Sequence, residues 1–123
     1  MKAKFIHHCL HCLDKEKSIA FYREALGLEP VREMGPADGS WTNTYLANDT
    51  CPFEVELTWN RGRTEPYDNA GKDVHMAFEV PDYQAAHDLH EKMGCILRDN
   101  PALGIYFITD PDGQLIEILP ARD

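Results

Sequence analysis

One histidine and one glutamate recur in each half of this 123-residue chain. His7 lies in KFIHHCL and Glu56 in VELTW, while His75 lies in DVHMAFEV and Glu117 in LIEIL. Each histidine sits on an apolar, strand-like run that leads into a helix-like run. Each glutamate sits mid-strand between apolar neighbours. A carboxylate in that setting is costly to bury unless it is paired or bound to a cation. Two such carboxylates brought together repel. A divalent cation removes the conflict, and two neutral imidazoles complete an N/O ligand shell. Taken singly, each histidine reads as a satisfied core residue and each glutamate as a solvated one. The four together, repeated by half, favour a metal and metal-assisted chemistry.

The elements that must position these residues also repeat. Residues 4–12 read as a buried strand, and Asp14 as the N-cap of a helix from Lys15 to Leu26 with Ile19, Tyr22 and Leu26 on one face. Gly27 stops it. A weaker strand covers 29–35, followed by the turn GPADGS, and two more cover 41–47 and 53–60. The polar stretch RGRTEPYDNAGK (61–72) reads as a linker. In the second half, 73–80 is a strand, and Pro81 and Asp82 start a helix whose apolar face is marked by Tyr83, Ala86, Leu89 and Met93. Gly94 ends that helix. Strands follow at about 95–98, 104–109 and 114–119, the last two joined as a hairpin by DPDG (110–113). Both halves read β-α-β-β-β, and residues 7–14 and 75–82 correspond at a constant offset. A half of about 60 residues buries little core alone, so two are expected to pack together. The expected class is α+β, with helices on one face and a curved sheet enclosing a concave interior.

Alternation assigns the faces. Phe5, His7, Cys9 and His11 share one side of the first strand. Glu54, Glu56, Thr58 and Asn60 share one side of the fourth, opposite the apolar Val55, Leu57 and Trp59. His75 shares its side with Ala77 and Glu79, and Glu117 lies with Leu115 and Leu119, opposite Ile116 and Ile118. All four candidate ligands are thereby predicted to face the concavity.

A louder motif, HHCLHC (7–12), superficially suggests zinc through Cys9 and Cys12. Residues three apart on a strand face opposite ways, so these thiols cannot chelate together. Cys12 and Cys95 are expected as core thiols, and Cys9 as lining the cavity. The formal net charge of -9 argues against nucleic-acid or anionic-membrane binding through the overall field. No apolar run reaches membrane-span length and the N-terminus does not read as a signal peptide, so a cytoplasmic location with reduced cysteines is expected.

With those residues in view, the chain resembles glyoxalase I (lactoylglutathione lyase) of the vicinal oxygen chelate superfamily nearly end to end. The resemblance is carried by SIAFYREALGLE (18–29), VELTWNRG (55–62), VHMAFEV (74–80) and DPDGQLIEIL (110–119). It implies a single glyoxalase-like domain, 1–123, of two βαβββ modules (about 1–62 and 72–123) forming a curved mixed sheet. It implies metal ligands His7, Glu56, His75 and Glu117, with Ni2+ or Co2+ favoured and Zn2+ as the other candidate. The implied reaction is isomerisation of a methylglyoxal–thiol hemithioacetal, normally with glutathione, to the lactoyl thioester through a metal-bound enediolate. The resemblance thus implies a methylglyoxal-detoxifying lyase with a small-molecule substrate. Glu117 is the expected main base and Glu56 its pseudo-symmetric counterpart.

Asn60 and His11 are the expected substrate-binding residues, His11 standing where relatives usually have arginine. The segment LRDNPALGIYF lacks the lysine that relatives use for the thiol's glycine carboxylate; Lys72, Arg61, Arg63 or Arg98 could substitute. The resemblance further implies a homodimer in which each site draws one His/Glu pair from each chain. The alternatives are other enzymes of the superfamily (an epimerase, a thiol transferase or a dioxygenase) and a metal-free resistance protein that binds small molecules.

Overall fold

The computed structural model describes residues 1–69 and 73–122. The chain forms two compact units, Met1–Tyr67 and Asp68–Asp123. The first contains β1 (His7–Cys12), α1 (Lys15–Leu26), β2 (Glu29–Met34), β3 (Trp41–Ala47) and β4 (Glu54–Asn60). Its sheet runs β1-β4-β3-β2, with β1 parallel to β4 and the other pairs antiparallel. The second contains β5 (His75–Val80), α2 (Tyr83–Met93), β6 (Ile96–Asn100), β7 (Ile105–Thr109) and β8 (Leu115–Pro120), in the order β5-β8-β7-β6 and with the same pattern of directions. The chain is therefore α+β, two βαβββ modules each with a four-stranded mixed sheet.

Both helices are capped as the sequence predicts. Asp14 accepts from the Lys17 amide and Asp82 from the Ala85 amide, which satisfies N–H groups that the first turn leaves without intrahelical partners. Gly27 and Gly94 close the helices in the left-handed conformation at φ 65° and 71°. In the first unit Leu10, Ile19, Tyr22, Leu46, Val55 and Leu57 form the core. This is the apolar side that alternation assigned to β4, with Trp59 only half-buried at its end. In the second unit Tyr106, Ile108, Ile116 and Ile118 are fully buried.

The structure departs from the sequence reading in three places. The first strand begins at His7 rather than residue 4, leaving Phe5 and Ile6 exposed. Its partner β4 starts opposite His7, directly after Pro52 and Phe53, and a proline has no N–H with which to extend the ladder. Strands β2 and β6 each carry an irregularity, between Pro30 and Arg32 and between Ile96 and Arg98. The apolar stripe expected on α2 (Tyr83, Ala86, Leu89, Met93) is only half-buried, and the helix's one buried residue is His90.

His90 is accommodated by a polar contact inside the core. Its Nδ1 lies 2.8 Å from the Tyr106 hydroxyl. Burial pushes that hydroxyl well above the usual phenol range, so it stays un-ionised. Nearby, His87 Nε2 meets Asp99 Oδ2 at 2.5 Å and its ring stands edge-on to Tyr106, tying α2 to β6 and β7. Tyr106→Phe keeps the ring and removes this partner of a buried imidazole. It should cost about 1–3 kcal/mol in urea unfolding; a change below about 0.5 kcal/mol would show that the contact contributes little.

Candidate metal centre

Strand pairing builds the same half-site in each unit. In the first, Glu56 lies opposite Cys9 on the parallel strand β1 and opposite Tyr45 on the antiparallel strand β3. In the second, Glu117 lies opposite Ala77 on β5 and Phe107 on β7. Each glutamate reaches the histidine of its own unit: His7 Nε2 is 3.6 Å from Glu56 Oε2, and His75 Nε2 is 3.6 Å from Glu117 Oε1. Each histidine ring stands edge-on to the opposite aromatic ring, His7 on Tyr45 with centroids 5.7 Å apart and His75 on Phe107 at 5.4 Å. Over each aromatic lies the arginine that follows the strand irregularity. The Arg32 guanidinium is 3.6 Å from the Tyr45 centroid and that of Arg98 is 4.8 Å from the Phe107 centroid. Duplication has thus preserved five features: histidine, glutamate, aromatic ring, irregularity and arginine.

The electrostatics of the Glu56 half-site are specific. Glu56 is buried, and burial opposes its ionisation. Hydrogen bonds from Tyr45, Cys9 and Thr58 and the charge of His7 outweigh that effect and hold its carboxyl below the ordinary value. Burial pushes the Cys9 thiol up, with Glu56 adding to the effect and the Thr58 contact offsetting part of it, so Cys9 faces Glu56 as a protonated donor. Burial and the bond to Glu56 likewise raise Tyr45, the bond being the larger cause.

The donors fit a divalent cation. At 3.6 Å the His–Glu pairs are too far apart for a hydrogen bond. They are closer than about 4.2 Å, twice the roughly 2.1 Å of a typical metal–nitrogen or metal–carboxylate bond, so one ion can touch both partners. The other ring nitrogen of His7, Nδ1, is buried without a hydrogen-bond partner. Among the described residues no three ligating side chains are clustered, so each unit presents a two-ligand half-site.

The remaining predicted residues fall as follows. His11 is exposed and its ring lies 5.1 Å from that of Tyr67, which also carries the Arg63 guanidinium at 4.1 Å. Asn60 ends β4 opposite Trp41, with its carbonyl accepting from the Arg63 amide. Arg61 is turned to the Asp38 carbonyl. Lys72 lies outside the described residues. Cys9 and Cys12 point apart as alternation requires: Cys9 bonds the Thr58 hydroxyl at 3.3 Å, whereas Cys12 is buried with its thiol 3.7 Å from the Thr58 carbonyl. Cys95 is only partly buried, not a full core thiol, and its thiol reaches the His90 carbonyl at the end of α2. Sequence reasoning did not single out Tyr45, Phe107 or Arg32. Their signal is strand register, which alternation within one strand does not contain.

Comparison with known proteins agrees with this geometry. Residues 5–118 match the Glyoxalase/Bleomycin resistance protein/Dioxygenase superfamily. The chain is 32% identical over 124 residues to a probable lactoylglutathione lyase of Vibrio parahaemolyticus, covering 94% of this chain and 89% of that protein. It is 31% identical to the lactoylglutathione lyase of Neisseria meningitidis, with 97% and 91% coverage. Its fold matches the trypanothione-dependent glyoxalase I of Leishmania major with a TM-score of 0.82 at 27% identity, over 97% of this chain and 87% of that one. Among the described residues no helix is long and apolar enough to cross a membrane. The chain belongs to the Glyoxalase/Bleomycin resistance protein/Dioxygenase superfamily, within which it is a lactoylglutathione lyase-like enzyme.

Proposed function

We propose that this enzyme converts the hemithioacetal of methylglyoxal and a glutathione-type thiol into the lactoyl thioester, using a divalent cation. The observation that carries the reading is the duplicated His/Glu half-site, 3.6 Å across in each unit. His7, Glu56, His75 and Glu117 would hold the ion, with Ni2+ or Co2+ preferred and Zn2+ as the other candidate. When bound, such a cation supplies Lewis-acid stabilisation of the negative charge that develops on the substrate's two adjacent oxygens.

The chain's own residues do the rest. Glu117 takes the proton from the carbon bearing sulfur and returns it to the neighbouring carbon, while the hydroxyl proton passes from the first carbon's oxygen to the second's, so substrate and product are isomers. Glu56 stays in place as the counterpart carboxylate. Asn60 and His11 contact the thiol moiety, and Arg63, stacked on Tyr67, and Arg98, stacked on Phe107, are candidate cations for its carboxylates. The enzyme would act as a cytoplasmic homodimer of single-domain chains, each site taking one His/Glu pair from each chain. A relative described as trypanothione-dependent supports testing more than one thiol.

The test is an isomerase assay with methylglyoxal and a panel of thiols after reconstitution with Ni2+, Co2+ or Zn2+. Thioester formation with at least one thiol is expected. Bound metal with no turnover on any thiol would refute the assignment.

A further inference from the structure

The two half-sites share five features and differ in the hydrogen-bonding side chains around the glutamate. Tyr45 and Phe107 occupy equivalent register positions, opposite Glu56 and Glu117. So do Cys9 and Ala77 on the parallel strands. Thr58 lies two residues beyond Glu56, where Leu119 lies two beyond Glu117. A hydroxyl, a thiol and a second hydroxyl in the first unit are matched by three side chains with no donor in the second. We infer that Tyr45, Cys9 and Thr58 are positioning residues that fix the Glu56 carboxylate, and that their apolar counterparts leave Glu117 free to swing between the metal and the substrate carbon. The inference rests on the proposed isomerase reading and deepens it by explaining how two equivalent carboxylates acquire different roles.

The geometry supports a clamp. The Tyr45 hydroxyl donates to the Met34 thioether at 3.7 Å, a weak acceptor, while Tyr45 stands opposite Glu56, whose carboxylate is far the stronger acceptor. Cys9 lies opposite Glu56 in register, and the Thr58 Oγ1 is 3.5 Å from Glu56 Oε1 and 3.3 Å from the Cys9 thiol. The Thr58 hydroxyl donates its proton to Asn43 Oδ1 at 2.9 Å, which fixes its position beside Glu56. The clamp is held from behind: Tyr45 is buried, and Arg32, stacked on its ring, is tied to Glu54 at 2.9 Å. Residues that orient a metal ligand without touching the metal commonly change affinity by about 10–100-fold when removed.

Exchanging the two rings tests this. Tyr45→Phe removes one clamp donor, and Phe107→Tyr gives Glu117 the donor it lacks. Both changes alter a single oxygen atom, and the double variant Cys9→Ala/Thr58→Val tests the clamp with the Tyr45 ring untouched. The metal-free full chain is titrated with Co2+ alone, and kcat and KM are measured after loading. Tyr45→Phe and the double variant should each weaken Co2+ binding by about tenfold. Phe107→Tyr should lower kcat by about tenfold or more with KM little changed. In the Glu117→Gln background, adding Tyr45→Phe and Cys9→Ala should restore part of the lost turnover by releasing Glu56.

Co2+ affinity within about twofold of the parent for both clamp variants would overturn the clamp. An unchanged kcat for Phe107→Tyr would overturn the freedom assigned to Glu117. If the parent chain shows no isomerase turnover, the functional reading fails, while the Co2+ affinities still decide the clamp.

Discussion

Glu117→Gln is expected to lower kcat by about a thousandfold while the protein still binds its metal. The amide keeps a neutral oxygen donor of nearly the same shape on the same strand, so the fold and most of the ligand set survive. What it loses is the ability to accept a proton from carbon. General-base catalysis by a positioned carboxylate is worth roughly 10²–10⁴ in rate, and in the proposed reaction one group both takes and returns the proton. A metal-bound carboxylate is a weak base, so the group that acts must be able to leave the ion. Glu117, beside Ala77, Phe107 and Leu119, meets that condition better than the hydrogen-bonded Glu56. Metal content and turnover measured on one preparation check this; full turnover with metal bound would remove Glu117 from the role.

Stripping the metal should abolish turnover and also lower the melting temperature. Without a cation, each unit keeps a glutamate and a histidine 3.6 Å apart, beyond hydrogen-bond reach of each other. A ligand that binds only the folded state stabilises it by about 4 kcal/mol when present at about a thousand times its dissociation constant. Calorimetry before and after dialysis against a chelator checks the effect. Restoring Ni2+ should recover both the melting temperature and the turnover, whereas Ca2+, which prefers more oxygen ligands, should recover neither. Equal melting temperatures with and without Ni2+ would count against a site built from these residues.

Much of this architecture was legible in the chain. The caps Asp14 and Asp82 and the stops Gly27 and Gly94 fixed both helices, because their chemistry is local. Alternation correctly separated Val55 and Leu57, which are buried, from Glu56 and Thr58, which meet Cys9 on the other side. It also disposed of the Cys9/Cys12 motif. What escaped was set by partners distant in sequence. The start of β1 depends on where Pro52 lets β4 begin. His90 breaks the apolar pattern of α2, since only the Tyr106 hydroxyl from β7 makes an imidazole tolerable there. The irregularities at Val31 and Leu97 shift register by one residue and set Arg32 opposite Tyr45 and Arg98 opposite Phe107. Alternation cannot anticipate such a shift, yet it supplies the arginines that distinguish the neighbourhood of these half-sites.

The four candidate ligands were found because they were duplicated, and the difference between the duplicates emerged only from cross-strand pairing. The most direct test of the account is a titration of the metal-free chain with Ni2+. Bound metal and isomerase turnover with methylglyoxal and thiol are followed together. Both should rise in proportion and saturate at one ion per chain, and His7→Ala or His75→Ala should lose both. Turnover that is indifferent to metal, or saturation with metal that brings no turnover with any thiol, would contradict it.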